Sequence, residues 1–306
     1  MNQLNKYASS EKVERYFCGT CGSHVLCHVL ADDSWDLCTG AVDKILNGGD
    51  SLSKYISGHE FLGDTVDGGL GICMTNANGS ALDLFLQGPD QTAILPSDFS
   101  SRLEHVSRGA AGATGAHAEK YLHASCHCGG VKYRVSRPGP SSDQFSAPWP
   151  DLIVPSATGH AENKDNVKWW LTKSDKGTRY RAGTCACRSC RLASGVPIQT
   201  WSFIPLVNIE QADGSPFDFS SGTLKQYNSS DGVYREFCRV CGSTAFWHAD
   251  TRPELIDVSV GLLRALEGAR AEGWLDWWTE RVSFREDALD QSLVAELERG
   301  LAVLKH

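Results

Sequence analysis

Three cysteines fall within one short stretch, Cys185-Ala186-Cys187-Arg188-Ser189-Cys190, and two pairs lie apart from it at Cys126/Cys128 and Cys238/Cys241. Two pairs of thiolates make a closed tetrahedral set for a structural zinc ion, with zinc–sulfur bonds of about 2.3 Å. Gly129, Gly130 and Gly242 follow those pairs and let the backbone turn tightly enough for its N–H groups to approach the sulfurs. The triplet implies different chemistry. Three thiolates leave one tetrahedral position vacant, and a vacant position separates catalytic from structural zinc. Arg188 and Arg191 flank the triplet, where they are candidates to offset thiolate charge or hold a substrate anion. The competing reading is that His248 or a further cysteine closes the triplet and makes it structural.

Metal ligation is a better account of these sulfurs than disulfides. The chain has twelve cysteines in 306 residues, concentrated in pairs too close in sequence for unstrained bridges. Its first residues, MNQLNKYASSEKVERY, lack the apolar run of a secretory leader, so a reducing, cytoplasmic setting is expected. No stretch approaches the ~18 apolar residues of a membrane span. The net charge of −8 argues against general nucleic-acid binding. A redox role for Cys238/Cys241 lacks the strand–helix–strand context of such motifs. His160-Ala161-Glu162 ahead of Cys187 and Cys190 superficially matches a zinc deaminase, but Ala186 stands where that motif has proline. Cys27, Cys38 and Cys73 are isolated, and we expect them to be small buried hydrophobes.

The elements that must position these sulfurs are mostly short strands. Val131, Tyr133 and Val135 alternate with polar residues, and TWSFIPLV, TLKQY and LIDVSVGLL read as further strands between turns. Ser283 and Glu286 form a capping-box signature before Leu289, Leu293, Leu297 and Leu301, which predicts a terminal amphipathic helix. Residues 16–28, YFCGTCGSHVLCH, match residues 236–248, EFCRVCGSTAFWH, and Gly40 aligns with Gly261 downstream. The first copy has no counterpart of the Cys-x-Cys pair or the triplet. The expected organisation is therefore a partial copy over 1–87, a Gly/Ala-rich linker over 88–123 and a complete copy over 124–306. Residues 137–166, rich in Pro, Ser, Asp and Asn, read as either a lid or a plain insertion. Trp201 and Phe203 are placed to wall a pocket, whereas Trp274, Trp277 and Trp278 are read as core or interface.

The series Cys-x-Cys-Gly-Gly-Val, Cys-x-Cys-x-x-Cys-x-x-x-Ser-Gly, Arg-x-Phe-Cys-x-x-Cys-Gly-Ser and a late Val-Gly-Leu resembles the glutathione-dependent formaldehyde-activating enzyme and centromere protein V family. The resemblance covers about residues 124–265 and, in part, 14–73. It implies a mainly β fold of tent-like zinc-binding sheets. It also implies about two zinc ions per chain, structural on Cys126, Cys128, Cys238 and Cys241, and catalytic on Cys185, Cys187 and Cys190. The implied activity is carbon–sulfur lyase/synthase chemistry on a small thiol or aldehyde, with glutathione as co-substrate. Ala186, where the family often has histidine, and the long stretch between Cys128 and Cys185 depart from the pattern. A specialised lyase or dehydratase, and a non-catalytic zinc-stabilised module, are the competing functions.

Overall fold

Val131, Tyr133 and Val135 are almost fully buried, and the strand they define forms one wall of the main core. The structure is a computed structural model that describes residues 4–43, 51–77, 79–88, 92–94, 119–174 and 177–304. The fold is mainly β. The described strands of the N-terminal sheet are β1 (Leu4–Ala8), β2 (Val13–Cys18), β3 (His24–Val29) and β4 (Ser34–Leu37), paired in that order. A three-stranded sheet follows from β5 (Tyr121–Ser125), β6 (Lys132–Ser136) and β10 (Ile209–Gln211), with β6 in the middle.

The largest sheet has eight strands. Seven run in the spatial order β7 (Leu171–Ser174), β8 (Gly177–Cys185), β9 (Gln199–Pro205), β14 (Leu255–Ser259), β13 (Thr244–Ala249), β12 (Val233–Cys238) and β11 (Leu224–Ser230). The eighth, β15 (Leu275–Trp277), pairs in parallel with β8. The three-stranded sheet lies across this sheet. Leu122, Tyr133 and Val135 from one meet Tyr180, Ile204, Phe246 and Val258 from the other in one apolar cluster. Continuous burial of Leu255 to Ser259 shows that β14 is covered on both faces, as a central strand should be.

The N-terminal sheet and the β11–β14 region share a pattern of pairing. Leu4 stands opposite Cys18 as Leu224 stands opposite Cys238. Val13 faces Val29 as Val233 faces Ala249, and each hairpin is interrupted at the same place, Tyr16/Phe17 and Glu236/Phe237. Each then turns through a left-handed glycine, Gly22 with φ 81° and Gly242 with φ 76°. The two turns pack on each other reciprocally. A Cβ on Gly22 would lie 2.5 Å from the Phe237 ring, and one on Gly242 would lie 2.7 Å from the Phe17 ring. Glycine is thus needed twice over, for the backbone conformation and for the opposing ring.

Two α-helices occur among the described residues. The first, α1 (Arg188–Ser194), begins at the cysteine triplet, and the second, α2 (Gln291–Val303), ends the described chain. The terminal helix is amphipathic as expected, burying Leu293, Leu297 and Leu301, but it starts later than the sequence signature suggests. Asp290 is its cap, accepting from the amides of Ser292 and Leu293. Ser283 instead bonds Asp151, Glu286 pairs with Arg281, and Leu289 precedes the helix. A carboxylate next to the helix start outcompeted the more distant Ser/Glu pair.

Most of the stretch read as linker, 95–118, lies outside the described residues, and β5 begins at Tyr121 because Leu122 and Ala124 are core residues. No helix among the described residues is long and apolar enough to cross a membrane. The reciprocal turn packing predicts that Phe17→Ala lowers the unfolding free energy by about 3–5 kcal/mol, the usual cost of emptying a buried aromatic position. Urea denaturation of the full chain at neutral pH checks this.

Candidate metal centres and the adjoining cavity

Cys126, at the end of β5, and Cys128, in the turn to β6, meet Cys238 and Cys241 from the turn between β12 and β13. The four sulfurs lie within 4.8 Å of one another. Cys126–Cys128 and Cys128–Cys238 are each 3.5 Å apart. A tetrahedral ion with bonds of about 2.3 Å requires sulfur–sulfur edges of about 3.8 Å, so the cage fits zinc with little adjustment. Backbone amides stabilise the sulfurs: Val131 N donates to Cys126 at 3.3 Å and Cys241 N to Cys238 at 3.5 Å. Proton sharing within the cluster pushes Cys126 up through its bonds with Cys238 and Cys241, and holds Cys241 well below the ordinary thiol value. Two residues of the N-terminal sheet approach this cluster. Tyr7 Oη lies 2.7 Å from His127 Nδ1, and His24 packs against Gly242.

The second group is built by a strand that ends where a helix begins. Cys185 closes β8, Cys187 caps α1, and its Sγ accepts from the Cys190 amide at 3.2 Å. Cap and third helical residue share one side of a helix start, so Cys187 and Cys190 converge on Cys185. Ala186 is fully buried, and its amide donates to Ser283 O at 2.9 Å, which fixes the link between the two elements. Arg235 of β12 reaches in from the side, donating to Ser189 Oγ at 2.9 Å and lying 3.6 Å from Cys190 Sγ. Hydrogen bonds from Cys185 and Cys187, with Arg235 beside them, hold Cys190 well below its ordinary value, while Cys185 is pushed up. Among the described residues no fourth histidine, cysteine or carboxylate joins these three. His248 does not: its Nε2 is 3.1 Å from Glu236, and its ring stacks on Phe219.

A cavity of about 590 Å³ opens on the triplet. Trp201 and Phe203 line it as the sequence reading placed them, together with Trp149, Trp247, Arg252 and Asp257. Burial raises the Asp257 carboxyl to about 6, against the opposing pull of Arg252, with which it pairs. The stretch 137–166 supplies one side. Its Leu152 packs on Gly183, where a Cβ would lie 2.5 Å from the leucine Cδ2, and its Asp151 is a buried anchor. Asp151 accepts from the amides of Ser156 and Phe284 and from Arg281. Burial would raise its pKa, but those donors outweigh it and hold the carboxyl below its ordinary value.

Other candidates lie elsewhere. Arg188 bonds exposed Asp43, and Arg191 is buried against the carbonyls of Gly40 and Val42 in the N-terminal region; neither lines the cavity. Arg235, Arg252 and Asp257 were not singled out from the sequence as site residues, although Arg235 sits inside the Arg-x-Phe-Cys motif. Cys73 is buried as expected, but Cys27 and Cys38 are not isolated. They are half-buried, Cys27 on β3 and Cys38 just past the end of β4, with Arg15 3.7 Å from Cys27 Sγ; burial and the neighbouring Cys27 push the Cys38 thiol up to about 11. Trp274 is fully buried core.

Residues 168–281 match the family described as glutathione-dependent formaldehyde-activating enzyme. The matched span contains the triplet, Cys238 and Cys241, and begins after Cys126 and Cys128. The crystal structure of a Rhodobacter sphaeroides protein is similar at 17% identity, covering 51% of this chain and 98% of that one, with a TM-score of 0.25. No curated protein matches the chain.

The anchoring of Asp151 gives a signed expectation. A depressed carboxyl stabilises the fold above its unfolded value, and that contribution is lost only as the pH falls through the folded value. Asp151→Asn should therefore cost about 3–5 kcal/mol at pH 7, as for a broken buried ion pair. The deficit relative to the parent should shrink only below the ordinary value of 3.8. Urea unfolding of both proteins at pH 7 and at acid pH measures it.

Proposed function

We propose that the chain is a zinc-dependent lyase of the carbon–sulfur type, making or breaking the bond between a thiol, such as glutathione, and a small carbonyl compound. The observation that carries this reading is the cavity lying directly against a three-cysteine group within the family-matched span. We read Cys126, Cys128, Cys238 and Cys241 as a closed structural site and Cys185, Cys187 and Cys190 as the catalytic one. Zinc held by three thiolates would supply a position where a thiol is bound as thiolate near neutral pH or an oxygen is polarised.

The chain's own residues have separate tasks in this scheme. In the synthetic direction the substrate sulfur bonds to the carbonyl carbon, and the thiol proton ends on the carbonyl oxygen. Arg235, against Cys190 and Ser189, keeps that ligand deprotonated and fixed. Trp201 and Phe203 exclude water from one side of the cavity. The Arg252–Asp257 pair places a polar group within an otherwise aromatic wall. The matching registers and reciprocal turns of the N-terminal sheet support reading residues 1–87 as a partial second copy that buttresses the complete copy over 124–306.

Zinc analysis of protein purified without added metal should give about two equivalents per chain. Cys187→Ser should retain about one, with turnover of a thiol and formaldehyde reduced at least ~100-fold. A parent protein with about one equivalent, or a Cys187→Ser variant with full turnover, would reject the catalytic assignment.

A further inference from the structure

The cavity holds far more room than a one-carbon aldehyde needs; its 590 Å³ falls within the range of about 300–1,000 Å³ typical of sites for drug-sized ligands. The non-reacting part of the thiol must occupy the rest, so the wall beside that part decides which thiol is accepted. Arg235, Trp247, Asp257 and Phe203 stand directly opposite one another on β12, β13, β14 and β9. They form one row across the sheet, and all four line the cavity. Arg252, from the turn between β13 and β14, also lines it, pairs with Asp257 and lies 4.6 Å over the Trp247 ring.

This row has donors without acceptors. Arg235 is only 4% exposed and Arg252 only 8%, yet Nε and Nη1 of Arg235 and Nη1 of Arg252 have no hydrogen-bond partner among the described residues. Arg235 commits Nη2 to Ser189 and Cys190, and Arg252 commits Nη2 to Asp257. Charged N–H groups withheld from water and left unmet are costly, and native proteins rarely leave them so. Asp257 is one carboxylate beside two guanidiniums: burial pushes its carboxyl up, and Arg252 and Arg235 both pull it back. The acceptor still lacking is a second group of the same kind. A carboxylate offers two oxygens in a plane, which a guanidinium fork fits. Arg188 and Arg191, the anion candidates next to the triplet in sequence, lie outside the cavity; Arg235 and Arg252 lie on its wall.

We infer that the thiol adduct taken by this site carries a carboxylate on its non-reacting part, and that Arg252, with Arg235 beside it, is the residue that selects for it. This rests on the triplet being the reaction site. Arg235 then serves both ends of the ligand, holding Cys190 through Nη2 and offering Nε and Nη1 to the carboxylate. Asp257 shares the same guanidiniums, so it competes with the ligand carboxylate and tempers the affinity without reversing the preference. An ester in the carboxylate's place is a neutral and weaker acceptor.

The test uses the full chain with cobalt(II) in place of zinc and reads the sulfur-to-cobalt absorption band during titration. The probes are glutathione and its diethyl ester, which share a thiol and differ in their carboxylates. Glutathione should half-saturate the change at a concentration at least tenfold below the ester. Arg252→Gln should bring the two within about threefold, and Arg252→Lys, which restores the charge, should recover part of the preference. Asp257→Asn removes the competing carboxylate and keeps the guanidinium, so there the preference should widen; this variant tests the inference even if Arg252→Gln fails to fold. A parent preference below tenfold, one that survives Arg252→Gln, or one that narrows in Asp257→Asn overturns the inference while leaving the triplet as the reaction site. If neither probe alters the band, the assignment of the triplet fails and this inference with it.

Discussion

Sulfurs brought within 3.5 Å repel one another once ionised, so a cage of four cysteines demands either shared protons or a cation at its centre. That demand organises the molecule. Cys126 and Cys128 fix one end of the three-stranded sheet, Cys238 and Cys241 fix the turn between two strands of the large sheet, and their meeting sets how one sheet lies over the other. The core of Tyr133, Phe246 and Val258 fills the space this leaves. The N-terminal sheet then docks on the same turn, placing Phe17 on Gly242 and His24 beside it. An ion in the cage would replace proton sharing with bonds that tie the three-stranded sheet to the large one.

The triplet answers the same electrostatic demand differently. Its charge is met by Arg235 and by amides at the start of a helix, leaving the sulfurs against open space. Of the positively charged groups near them, the buried strand residue does the work. The two arginines on the helix itself, Arg188 and Arg191, bind the N-terminal region instead. Position in sequence beside the sulfurs thus did not predict contact, because Asp43 and the carbonyls of Gly40 and Val42 in the N-terminal region offer these two arginines their partners.

The ligand groups were legible because cysteine spacing is local and chemically unambiguous, and the strands around them were legible from alternation. Val131, Tyr133 and Val135 lie on the face that periodicity assigned. What sequence did not reveal depends on contacts between distant segments. Asp257 lies far along the chain from Cys190, and its raised pKa comes from burial that no local pattern encodes. Cys27 and Cys38 looked isolated because they are eleven positions apart, yet the antiparallel pairing of β3 with β4 carries Cys38, just past β4, back beside β3, where its amide donates to Val25 O at 2.9 Å. The terminal helix was misplaced at its start because a capping signature is only a few residues long, and Asp290 offered a competing one nearer the apolar run.

Helix α1 has a double allegiance. One end carries Cys187 and Cys190, and the other ends in Gly195, whose carbonyl accepts from Gly40 N at 3.0 Å while Arg191 grips the carbonyls of Gly40 and Val42. Seven residues of helix separate the two attachments, too few to absorb a displacement by bending. The N-terminal sheet therefore acts on the sulfurs as a clamp acts on a short lever. Its position sets the tilt of the helix, and local fraying of the first eighty residues would register as a change in geometry at the opposite end, with no residue of that sheet entering the cavity.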